Sequence, residues 1–160
     1  METLGAIKRV LGEQIQGCRQ LLELLQREKL CLLDLQMEGV EAIIKEKDIL
    51  VLKLRLLEEE RARLLESLVR GKTLELLKKE TDPRNISLLK LAEISGETIF
   101  HEMRSKLISL SQSIKELNTF NQGMIDRTLG FLKKNNQFLG PFFPGLSSNP
   151  EKGRLISREM

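Results

Sequence analysis

The sequence predicts an all-α fold: an elongated antiparallel helical hairpin, joined by a third long helix into a three-helix coiled-coil bundle and followed by a flexible C-terminal tail. Sustained heptads are the first observation: Leu4, Leu11, Cys18, Leu25 and Leu32 recur every seven residues, interleaved with Ile7, Gln14, Leu21, Glu28 and Leu35. The second is a matching series at Val40, Lys47, Leu54, Arg61 and Leu68, interleaved with Ile43, Leu50, Leu57 and Leu64. The third concerns the polar residues on these seams. Folding one series on the other pairs positions whose numbers sum to 75, and this register sets Glu28 opposite Lys47 and Gln14 opposite Arg61. A lone charge on a seam would be costly to bury, so paired polar positions argue for this register; snorkelling of the long side chains out of the seam is the alternative reading.

The first helix is expected over about 4–36 and the second over about 40–70, with the break at Met37-Glu38-Gly39. Leu35 would then meet Val40 next to the break. Val10, Ile15, Leu22, Leu24 and Cys31 widen the apolar face of the first helix, and Ile44, Val51 and Leu65 that of the second. A two-helix coil needs only a narrow stripe, so the extra width implies a third packing partner. Gly71 stands where a C-cap glycine belongs, after Arg70. Residues 72–84 read as a connector with a possible short helix over Thr73–Glu80 and an Asp82-Pro83 turn, and Asn85 suits the next N-cap.

Helical spacing resumes at Ile86 and continues through Leu89, Phe100, Met103, Leu107, Leu110, Ile114, Leu117, Met124, Leu132 and Leu139, predicting a third helix over 86–139. Ser95-Gly96 is a point where it bends or breaks. Roughly 50 helical residues reach about 75 Å, against about 50 Å for either hairpin arm, so the last turns should outrun the hairpin. Five of the six Phe residues lie from Phe120 onward. Phe120, Met124, Ile125, Leu129, Phe131, Leu132, Phe138 and Leu139 are therefore candidates for a partner-binding surface, since aromatics and Met suit interface anchors. The plainer reading is that they pack as core. A polar row at Asn121, Thr128 and Asn135 continues the heptad of Phe100, Leu107 and Ile114, and its amides and hydroxyl could bond a partner or face solvent. The domain organisation expected is one helical domain over 1–139 and a tail over 140–160.

Composition excludes several functions. With 26 basic and 23 acidic residues intermixed and a net charge of +3, no strong field attracts nucleic acid or an anionic membrane. No apolar run approaches the roughly 20 residues of a membrane span, and the N-terminus lacks a signal-peptide pattern, so the cytoplasm is expected. Cys18 and Cys31 have no companions at metal-ligand spacing and read as reduced packing thiols. The single histidine, His101, lies in no Glu-x-x-His element, so a bundle metal site is not expected and His101 reads as a surface residue. The Glu58-Glu59-Glu60-Arg61 run reads as a charged face with a Glu59 to Arg63 pair. No catalytic, cofactor-binding or metal-ligating residue emerges.

Four ordered segments resemble the FlgN-type flagellar export chaperones: Leu21-Leu22-Glu23-Leu24-Leu25-Gln26-Arg27-Glu28, then Ile44-x-x-Lys47-x-x-Leu50, then Leu57-Glu58-x-x-Arg61, and finally Leu117-Asn118-x-x-Asn121 leading to Leu129-x-x-Leu132. The resemblance implies a cytosolic, non-enzymatic chaperone without cofactors. Such a protein binds and shields the C-terminal helices of the hook-filament junction proteins FlgK and FlgL and delivers them to the flagellar type III export gate. It also implies that substrate binding lies around Asn118 to Leu139. The rival reading is a coiled-coil scaffold that homo-oligomerises through its C-terminal apolar helix.

Overall fold

A computed structural model describes residues 2–70, 86–139 and 141. The fold is all-α, with helices α1 (Glu2–Leu33), α2 (Met37–Arg70), α3 (Leu88–Ser95) and α4 (Ile99–Leu139) and no strand among the described residues. The chain divides into two compact units, residues 1–121 and 122–160. Gly71, the connector to Asn85 and the tail beyond Pro141 lie outside the described residues.

In the first unit, α1 and α2 form an antiparallel hairpin. Its seam buries Ile7, Leu11, Leu25 and Leu32 of α1 and Val40, Ile43, Leu50 and Leu57 of α2, the heptad positions of both helices. Continuous burial of γ- and β-branched side chains is the main source of hairpin stability, each contributing roughly 1.5–3 kcal/mol. The turn lies three residues earlier than the Met37-Glu38-Gly39 break expected from composition. The amide of Gln36 donates to the carbonyl of Cys31 at 2.8 Å and that of Leu35 to Leu32 at 3.4 Å, a Schellman closure of α1 with Leu35 as its left-handed residue at φ 54°. Leu35 is thus an exposed turn residue and does not meet Val40 on the seam. Gly39 is inside the first turn of α2; a Cβ there would stand 2.8 Å from Cys31 Sγ, so its smallness lets the start of α2 press on the end of α1.

At the opposite end of the hairpin, Ile7, Leu11, Leu65 and Val69 enclose a core with Ile86, Leu91, Ala92 and the fully buried Phe100. The long helix expected over 86–139 is broken in two at the Ser95-Gly96 position. Ser87 caps α3 by accepting from the amide of Lys90, and Gly96, at φ 68°, ends it with its amide on the carbonyl of Ala92. That corner turns Leu91 and Ala92 of α3 and Phe100 of α4 toward the same apolar cluster, and an ion pair between Lys8 and Glu97 holds it to α1.

The widened face of α2 is only partly used. Leu65 is fully buried, whereas Ile44 and Val51 are exposed. Val51 borders an open groove together with Leu21, Leu25, Ile114 and Lys115, so α4 does not close on α2 at that level. The second unit contributes the remainder of α4, where Gln122 donates to Asp126 at 3.0 Å and the Thr128 hydroxyl donates to the carbonyl of Met124 at 3.0 Å.

Candidate partner-binding surface

The polar residues on the first unit's seams form two layers. In one, Glu28 is 1% exposed and both its carboxylate oxygens are occupied: Oε1 accepts from Lys47 Nζ at 2.6 Å and Oε2 from Asn121 Nδ2 at 2.9 Å. The same Nδ2 donates to the backbone carbonyl of Leu25 at 2.9 Å. A buried carboxylate without these donors would carry an uncompensated desolvation cost of several kcal/mol. In the other layer, Gln14 Nε2 donates to Glu58 Oε2 at 2.9 Å, and Arg61 holds the same carboxylate. Gln14 and Arg61 therefore meet through Glu58 rather than directly, because an amide and a guanidinium are both best served by a shared acceptor. The Arg61 hydrogen bonds, helped by Gln14, lower the pKa of the Glu58 carboxyl against the opposing effect of desolvation. Nearby, burial raises the pKa of the Cys18 thiol. Glu59 and Arg63, expected to pair with each other, form no ion pair.

These layers change the standing of one candidate. Asn121, read from sequence as part of a partner-binding row, is 1% exposed and committed to Glu28 and Leu25, so its amide is not open to a partner. The sequence carried only half of the signal: Asn121 continues the heptad of Phe100, but the acid it serves lies 93 positions away. Asn118, one turn earlier, is exposed at the groove bordered by Lys47, Asp48 and Lys115. Phe120 is 46% exposed, with the Lys29 ammonium 4.8 Å from its ring centroid, a cation–π contact.

The other candidates belong to the second unit. At 3.6 residues per turn, Met124, Phe131 and Phe138 line one edge of the helix, Ile125, Leu129 and Leu132 another, and Thr128 and Asn135 run between them. Leu129 is 59% exposed, Phe131 64% and Leu132 50%; Met124, Ile125 and Thr128 are half-buried, and Phe138 is exposed. Leu139 is the last residue of α4, and its side chain lies outside the described residues. The opposite side of this segment carries Asp126, Arg127, Lys133 and Lys134. It is therefore a half-apolar helix on which, among the described residues, Leu129, Phe131 and Leu132 remain half or more exposed, a surface suited to bury an amphipathic partner helix. Among the described residues no cluster of His, Cys, Asp or Glu could hold a metal ion.

The family model described as FlgN protein matches residues 1–143 of the 160 in the chain. No curated protein and no solved structure matches it.

Proposed function

The chain belongs to the FlgN family, a family of flagellar export chaperones rather than enzymes, and from that premise we propose that it chaperones the hook-filament junction proteins FlgK and FlgL. In this reading it acts without catalysis or cofactor. The first unit is a rigid scaffold, and the last turns of α4 offer Met124, Ile125, Leu129, Phe131, Leu132 and Phe138 to an amphipathic C-terminal helix of a junction protein. Covering that helix keeps it from assembling or being degraded in the cytoplasm until the export gate receives it. No helix among the described residues is long and apolar enough to cross a membrane, in keeping with an action on proteins awaiting export.

The observation that carries the reading is the exposure of Leu129, Phe131 and Leu132 on a single helix. Each would bury enough apolar surface on a partner to act as an anchor, and Thr128 and Asn135 would set the partner's register by hydrogen bonding. The test is co-purification of the full-length Leu129→Asp/Leu132→Asp double variant with the C-terminal segments of FlgK and FlgL. Loss of capture with unchanged thermal unfolding is expected; undiminished capture would sink the proposal. A truncation intended to remove this surface should fall after Gln122, because an earlier cut removes Asn121 from Glu28.

A further inference from the structure

Beneath the middle of α4 the first unit is incompletely filled. Between the enclosed Phe100 and the buried Asn121 no residue of the helix is buried, over a stretch of about 31 Å at 1.5 Å per residue. Two grooves separate this stretch from the hairpin. One, of about 410 Å³, is bordered by Leu11 and Cys18 of α1, Leu54 of α2 and Leu107 of α4. The other, of about 450 Å³, is bordered by Leu21 of α1, Val51 of α2 and Ile114 of α4. Ser111 borders both, so they meet there. Among the described residues no hydrogen bond or ion pair joins 104–119 to α1 or α2; Gln112 donates along its own helix, to Glu116.

The two ends of the stretch are fastened unequally. At one, Phe100 is locked in the cluster of Ile7, Leu65 and Leu91, with Met103 and Leu107 packed against it. At the other, the Asn121 nitrogen bonds Glu28 and the Leu25 carbonyl, while its buried oxygen has no partner. Turning the amide over would set that oxygen against a carboxylate and a carbonyl, so its orientation is fixed. An acceptor buried without a donor opposes the gain from the two bonds, and water satisfies it once the side chain leaves. Glu28 keeps Lys47 when Asn121 departs, so no charge is stranded. Phe120 adds only a surface contact with Lys29.

We propose that residues 104–121 of α4 are a strap that opens from the hairpin and closes on it, turning at the Phe100 cluster and fastened by Asn121. Closed, it covers the two grooves. Open, it uncovers Leu107, Leu110, Ile114 and Leu117, which are half-buried in the closed form, together with the hairpin seam at Cys18 and Leu54. The strap thereby sets how much of α4 presents an apolar side.

Cys18 is a native probe of the opening because it borders the groove under the strap, and Cys31 is its internal control, packed instead against Leu24, Ile43 and Leu50 within the hairpin. Pulsed alkylation of the full chain with a bulky maleimide, read at each cysteine by peptide mass spectrometry, follows both. Asn121→Ala is expected to speed Cys18 labelling roughly tenfold and to leave Cys31 unchanged, as the two hydrogen bonds of the fastening are lost. Alanine is the better helix former, so α4 itself is not weakened. Ser111→Leu, which fills the gap between strap and hairpin, should slow Cys18 below the wild-type rate, and should slow it in the Asn121→Ala background as well. A Cys18 rate indifferent to Asn121→Ala would overturn the proposal. So would a parallel rise at Cys18 and Cys31, which would mean that the whole hairpin loosens, or a Ser111→Leu variant that labels as fast as wild type. No partner protein enters the assay, so the strap and the capture of FlgK or FlgL stand or fall separately.

Discussion

Phe100 and Phe131 lie on the same helix and continue the same apolar spacing, yet the first is completely enclosed and the second is 64% exposed. The helix does not decide this; the neighbours do. Around Phe100, α1, the end of α2 and the short α3 converge on one cluster, and the Gly96 corner brings α3 back over it. Around Phe131 the described residues of its unit supply no such enclosure. An apolar stripe at helical spacing therefore reports that a surface is to be covered, and only the count of available neighbours says whether the chain covers it itself. The largest test of this contrast is a pair of truncations. Phe100→Ala should cost about 3–5 kcal/mol in urea unfolding, because a large cavity opens in a packed cluster. Phe131→Ala should change stability by less than about 0.5 kcal/mol while reducing capture of the junction-protein helix. Equal stability losses would erase the contrast.

The polar layers sharpen it from the other side. Glu28→Ala should cost about 3 kcal/mol, since it leaves Lys47 without its acceptor inside the bundle and the Asn121 amide with the Leu25 carbonyl alone. Glu23→Ala, on an exposed part of the same helix, should cost a few tenths. Asn121→Ala should fall between them, at about 1–2 kcal/mol, because Lys47 still serves the carboxylate. Comparable small effects of Glu28→Ala and Glu23→Ala in thermal unfolding would mean that the buried pair is solvated.

Heptad spacing made the hairpin, its register and the Glu28–Lys47 juxtaposition legible in the sequence, because burial of one face and pairing of its charges depend only on helical periodicity. Three features were not legible for distinct physical reasons. The Glu58 bridge was hidden because a carboxylate beside a seam resembles a solvated face until the facing helix supplies Gln14. Asn121 resembled a binding residue because its role depends on an acid 93 positions away. The turn was misplaced because Gly39 draws attention as a breaker, whereas the left-handed position is held by Leu35, a residue that ordinarily avoids it. That last point gives a prediction of opposite sign. Leu35→Gly should stabilise the hairpin by about 1 kcal/mol, as the side chain is exposed and the backbone strain is relieved. Destabilisation would show that Leu35 makes a contact worth more than its strain.

The smallest expected effect concerns pH. The folded-state pKa of Glu58 is lowered, chiefly by Arg61 and then by Gln14, from the ordinary value of 4.5 at which the unfolded chain titrates. The folded protein thus holds the charged form more tightly. The stabilisation is complete above the unfolded value, declines as pH falls below it, and is gone once pH passes the folded value. Glu58 is about half exposed, so solvent screening limits the contribution to a few tenths of a kcal/mol. Comparing wild type with Glu58→Gln in urea at neutral pH and in acid isolates it. The wild type should be slightly the more stable at neutral pH, and the gap should close in acid and shrink at high salt. A gap that persists in acid would mean that Gln14 and Arg61 are held there by shape rather than by the charge of Glu58.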